Sequence, residues 1–254
     1  MSSAKEIIMA IRMHGSGGAI KMSGTGGSMK FGVSGGGGGG GIVTSGLIAH
    51  LDASNSTSYP GSGTTIYDLT AQNADGTMGG SVSWVSDGQA SYWNFPTGGY
   101  SIDDEIYSSV SQNYVDFTIV MQPDFSHGPT IAYHVGLIAP ENSYPGASGN
   151  SLRLKGADGT GPWYWQNPGN GNDWMSSAGT VYNNGSSSNS DITFSSGWNI
   201  LGGARTNTGG TFGSPWAYHI GSAAYNAGWM FKGKIAAVLL YDRALSGAEQ
   251  LQNF

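Results

Sequence analysis

The chain has 254 residues, 38% of them apolar and only 10% charged, against roughly 25% charged in an average globular domain. A net charge of −6 with no Lys/Arg cluster excludes tracking of a nucleic-acid backbone, and the absence of cysteine excludes disulfides and thiolate metal sites. The 44 glycines and abundant Ser, Thr and Asn describe a surface of hydroxyls, amides and backbone, and no apolar run is long enough to predict a membrane-inserted helix.

In chain order, residues 1–34 hold a nine-residue repeat. Ile11-Arg-Met-His-Gly-Ser-Gly-Gly-Ala aligns with Ile20-Lys-Met-Ser-Gly-Thr-Gly-Gly-Ser, and a third copy starts at Met29-Lys-Phe. Each copy is apolar–basic–apolar and then Ser or Thr before Gly-Gly, a period-2 strand pattern closed by a turn. Strands this short bury little alone, so residues 1–34 are expected to act as an anchoring arm. They would pair across copies of the chain or dock on another protein of an assembly. Gly35 to Gly41 form an unbroken polyglycine linker.

From Ile42 to Phe254 the sequence predicts short strands separated by Gly, Pro, Asn and Ser. Examples are Gly46–Asp52, Phe117–Met121, Thr130–Ile138, Trp198–Leu201 and Lys234–Tyr241. The last is almost continuously apolar and reads as a buried central strand. Many short strands with almost no helical period indicate an all-β, two-sheet antiparallel jelly-roll sandwich. One helix is expected, at the end, where Ser246 and Glu249 form an S-x-x-E capping box. Leu245 and Leu251 are expected to cover the sandwich edge from it.

Gly46-Leu-Ile-Ala-His-Leu-Asp-Ala-Ser-Asn, followed by Ser58-Tyr-Pro-Gly-Ser-Gly-Thr-Thr-Ile-Tyr-Asp-Leu-Thr and Ala71-Gln-Asn-Ala-Asp-Gly-Thr-Met, resembles the opening of concanavalin A-like (laminin-G-like) domains of phage and bacterial surface proteins. Phe231-Lys-Gly-Lys-Ile-Ala-Ala-Val-Leu-Leu-Tyr-Asp-Arg-Ala-Leu-Ser-Gly-Ala-Glu-Gln resembles that family's closing strand and short helix, and Phe117-Thr-Ile-Val-Met-Gln-Pro a middle strand. The resemblance implies a jelly roll over residues 42–254, with first and last strands adjacent. It also implies a bacteriophage virion structural protein: a fibre, tail or capsid appendage joined to other virion proteins through residues 1–34. A homo-oligomer, by expectation a trimer, and a virion location follow from that reading, and the stretch after Met1, which has no signal-peptide pattern, agrees with it.

Catalytic signals are sparse. The four glutamates Glu6, Glu105, Glu141 and Glu249 fit no E-x-D-x-x-E strand, and a glycosidase needs paired carboxylates. Asp103-Asp104-Glu105 reads as an exposed turn, and His50-x-Asp52 as a satisfied histidine rather than a catalytic pair. No metal site is assigned. Asp158 and the Asn170–Asp173 loop offer oxygen ligands that would suit calcium, but they also suit plain turns. The strongest binding candidate is the stretch with Trp163, Tyr164, Trp165, Asn167, Asn172, Asp173 and Trp174. Indoles stack on the C–H faces of sugars and amides bond their hydroxyls. A place in the core and a contact between protomers are the alternatives for these aromatics. The expected function is non-catalytic: adhesion to a cell-surface glycan, or decoration of the particle's shell. A polysaccharide depolymerase and a secreted bacterial adhesin are the alternatives.

Overall fold

The computed structural model describes residues 41–96, 105–108, 116–124, 135–140, 152–156, 163–165, 181–188, 192–204, 218–222 and 230–253; for 135–136, 139–140, 152–156, 163–165, 188, 192–193 and 204 it describes the backbone path and pairing. The anchoring arm at 1–34 and the linker up to residue 40 lie outside the described residues. The described chain is all-β with two antiparallel sheets and one short terminal helix.

The first sheet runs in the order β12 (Ser186–Ser188), β11 (Val181–Asn183), β14 (Asn199–Ala204), β7 (Asp116–Pro123), β16 (Gly233–Tyr241), β5 (Ser91–Phe95) and β4 (Ser83–Ser86). Strand β1 (Leu47–Asp52) also pairs with β16. The nine residues of β16 thus serve three neighbours. They pair with β7 along their length, with β5 at Gly233–Ile235, and with β1 at Ala237–Tyr241. The switch falls at a register shift between Ile235 and Ala237, where one extra residue re-aims the strand. The expected central strand and the adjacency of first and last strands are both present.

The second sheet runs β13 (Ile192–Thr193), β10 (Trp163–Trp165), β9 (Leu152–Gly156), β8 (Val135–Pro140), β15 (Tyr218–Ile220), β6 (Ile106–Ser108), β3 (Gly76–Met78) and β2 (Thr65–Ile66). Between the sheets lies one apolar core. Trp93, Phe95, Phe117, Ile119 and Leu240 enter it from the first sheet, and Ile66, Ile106, Ile138 and Ile220 from the second; all are at most 1% exposed. Such burial is the main stabilising term.

The outward faces differ in chemistry. The first sheet is apolar outside as well. Tyr92, Val120, Ala236 and Ala237 form one outer cluster, with Trp198 and Ile200 packed on it. Leu239 and Tyr241 form another with Val43 and Leu245. The terminal helix α1 (Gly247–Gln252) accompanies that second cluster, and its capping box is present, with Ser246 accepting from the Glu249 amide. One expectation fails here. Leu251 is 51% exposed, and Gln250 is the buried helix residue. The reason is polar: Gln250 Nε2 donates to Oδ1 of the fully buried Asp116 (2.5 Å), so this side chain must turn inward.

Candidate functional site

Strands β2, β3, β6 and β15 of the second sheet alternate buried and more exposed residues, the period-2 signature of a sheet with one solvated face. Along β2, β3, β6 and β15 the buried residues are Ile66, Gly76, Met78, Ile106, Ser108, Tyr218 and Ile220, while Thr65, Thr77 and Tyr107 are exposed and His219 is half-buried. Register aligns the outward positions into one row. Thr65 pairs with Thr77, Thr77 with Tyr107, Tyr107 with His219, and His219 with Ala139.

At the middle of the row three side chains meet. Tyr107 and His219 stand edge to face with ring centroids 5.3 Å apart, a favoured aromatic arrangement. Glu105, two residues before Tyr107, brings Oε1 within 2.7 Å of His219 Nδ1. The contact lies off the line of an N–H hydrogen bond, and His219 Nε2 is buried without a partner. An imidazole nitrogen in that state is an unused donor or acceptor. Tyr107, 38% exposed, presents an apolar ring with a phenolic hydroxyl. Together they make an aromatic platform beside a carboxylate and an imidazole, the combination a shallow polyol site uses.

Sequence reasoning missed this cluster because Glu105 and His219 lie 114 positions apart and only strand pairing joins them. The expected exposed turn at 103–105 is corrected in part: Glu105 is half-buried against His219, while 103 and 104 lie outside the described residues. A signal was present in the alternation of Ile106-Tyr107-Ser108 and Tyr218-His219-Ile220, which marks both polar residues as outward.

The expected binding stretch is only partly described. Positions 163–165 form β10, with Tyr164 in register with Lys155 on one side and Thr193 on the other. Leu152 pairs with Ile138, and Ile138 with the buried Ile220. Asn167, Asn172, Asp173, Trp174 and the oxygen-bearing Asp158 lie outside the described residues. Among the described residues no group of three or more His, Asp or Glu is placed to hold a metal ion.

His50 and Asp52 have separate duties. The His50 amide donates to Asp68 Oδ1 (2.8 Å), and Asp52 Oδ1 accepts from the Ser54 amide and hydroxyl. Burial holds the His50 imidazole below its usual range, against the pull of Asp52 and Asp68. Asp68 also accepts from the amides of Thr70 and Ala74 and the Thr70 hydroxyl, tying β1 to the following loop. The opening motif is thus built for structure.

No family model and no curated protein matches the chain. Solved structures similar to it include domain 4 of AbnA, a GH43 extracellular arabinanase from Geobacillus stearothermophilus, in complex with arabinotriose. That likeness has 17% identity and a TM-score of 0.45, covering 82% of this chain and 97% of the other. Trypanosoma rangeli sialidase in complex with sialic acid is similar at 15% identity and a TM-score of 0.46, covering 84% of this chain and 33% of the sialidase. The botulinum neurotoxin type G receptor binding domain is similar at 12% identity and a TM-score of 0.40, over 82% and 50%.

Proposed function

We propose that this chain is a non-catalytic, glycan-binding β-sandwich displayed from an assembly, by our reading a bacteriophage particle, through its N-terminal arm. The observation that carries the binding reading is the open face of the second sheet, where Tyr107, His219 and Glu105 gather amid threonines. A sugar ring stacks its C–H face on Tyr107 and gives its hydroxyls to the Glu105 carboxylate beside it.

The geometry of attachment supports display. The described chain begins at Gly41, whose carbonyl accepts from Gln252 Nε2 (2.6 Å), and the Val43 amide donates to Asn253 Oδ1 (2.9 Å). Val43 packs with Leu239, Tyr241 and Leu245 on the outer side of the first sheet. The described chain thus enters the domain on the side opposite the open face. The phage assignment itself rests on the resemblance of the opening and closing segments and on the repeat.

A second reading, hydrolysis, is favoured by one observation: a carboxylate against an imidazole whose other nitrogen is unused is also how a general base is oriented. One experiment separates the two. The full chain is screened on a glycan array beside Tyr107→Ala and Leu251→Ser, the latter exposed on the far side of the molecule. Binding weakened about tenfold by Tyr107→Ala and unchanged by Leu251→Ser is the expected result. Depolymerisation of a bound polysaccharide that Glu105→Gln abolishes would replace adhesion with catalysis.

A further inference from the structure

The platform at Tyr107 has a counterpart on the same face. Among the described residues the large hydrophobic side chains open to solvent are Tyr67, Tyr107 and Leu251. Leu251 belongs to the terminal helix, on the outer side of the first sheet. Tyr67 directly follows β2 of the second sheet and is 47% exposed, more than Tyr107. Thr65 and Tyr67 are exposed on either side of Ile66, which is buried in the core, so position 67 takes the outward side with Thr65. Register fixes where it stands. Thr65 pairs with Thr77 and Thr77 with Tyr107, which puts Tyr67 two strands across and two residues along from Tyr107. At ordinary strand dimensions the two positions lie about 12 Å apart.

Each tyrosine also has a carboxylate at its side. Glu105 is two residues before Tyr107 and reaches His219, the neighbour of its ring. Asp75 accepts from the Asp68 amide (2.9 Å), next in the chain to Tyr67, and is half-buried on β3's outward side between the buried Ala74 and Gly76. The exposed Thr77 on β3 lies between the two pairs. Ring and carboxylate thus occur twice, the stacking surface and the hydroxyl acceptor that one sugar unit uses. We propose that the open face binds a linear oligosaccharide lying obliquely across β6, β3 and β2, with one unit stacked on Tyr107 and a later unit on Tyr67. The ligand is then an internal run of a linear polysaccharide and not a single terminal sugar. This deepens the glycan-binding reading and rests on it. A unit joined to one already bound meets the second ring at high effective concentration, so affinity climbs with chain length until both rings are covered and then levels off.

The test uses the full chain and size ladders, from disaccharide to hexasaccharide, of cello-, xylo-, manno- and chito-oligosaccharides. Affinity for at least one ladder is expected to rise about tenfold from its shortest member to its longest. Tyr67→Ala should remove that rise and leave disaccharide binding as it is. Tyr67→Phe, which keeps the ring, should keep the rise, and this separates stacking from a fault in folding. A rise that Tyr67→Ala leaves intact, or that Tyr67→Phe also abolishes, would overturn the two-platform site. Equal affinity for short and long members, or binding to array glycans with none to the ladders, would overturn it too and leave the single platform at Tyr107 standing. No binding to any ladder or array glycan would overturn both readings.

Discussion

Asp116 shows how one residue fixes the end of the chain. It is fully buried at the start of β7, and its carboxylate accepts from the amides of Leu245 (2.8 Å) and Phe117 (2.7 Å) and from Gln250 Nε2. Burial nevertheless pushes its carboxyl up to about 7, against those hydrogen bonds and the Arg243 charge. A folded value above the unfolded 3.8 means that the folded state holds the proton more tightly. The stabilisation is complete below pH 3.8 and is lost as pH rises through 7. His50 acts in the opposite sense, since its lowered value favours the fold as pH rises. The informative quantity is therefore the difference between Asp116→Asn and the parent. The melting temperature of the variant relative to the parent should climb between pH 4.5 and pH 8, by about 2–4 °C for each kcal/mol. Parallel profiles would show that Asp116 does not titrate in that window.

At the scale of elements, the closing strand and helix work as one unit. Gly233 opens β16 at φ +142, where a Cβ would lie 2.3 Å from the Gln122 carbonyl oxygen, so only glycine fits beside β7 there. Gly202 on β14 has a different task. A Cβ there would sit 2.4 Å from Gln250 Oε1 and 3.3 Å from the Phe117 carbonyl. Glycine thus leaves the room in which Gln250 reaches Asp116. Gly202→Ala should cost about 1–3 kcal/mol through overpacking and loosen helix α1, read as a lower melting temperature with earlier proteolysis at the C-terminus. A variant as stable and as resistant as the parent would show that the helix does not depend on this contact. The strand and the capping box were legible in sequence because period and cap chemistry are local. The inward turn of Gln250 and the exposure of Leu251 were not, because they depend on a carboxylate more than 130 positions away.

For the whole molecule, the boundary of the sandwich is sharper than a polyglycine run suggests. Gly41 and Val43 are held by Gln252 and Asn253, and Val43 is 5% exposed in the outer cluster. Removing residues 1–40 should leave the melting temperature nearly unchanged. Removing 1–43 should cost about 2 kcal/mol through the lost side-chain burial and hydrogen bond. Equal stability of the two truncations would place the true start of the domain later. If the shorter truncation unfolds, the arm belongs to the folded unit.

Sequence alone determined the all-β class, the central place of Lys234–Tyr241, the neighbouring of first and last strands, and the capped terminal helix. These follow from periodicity, turn chemistry and the resemblance, all written within short stretches. The aromatic stretch around Trp163 was also visible, but composition does not say which side of a sheet a residue takes. Tertiary structure decided it for Tyr107 and His219, pairing β6 with β15 so that the two rings meet on the outward face of the second sheet. It also joined Glu105 to His219. A strand's register with partners far along the chain is set by the packing of the whole sandwich, because a shift by one residue would turn the aliphatic row to water and the polar row to the core.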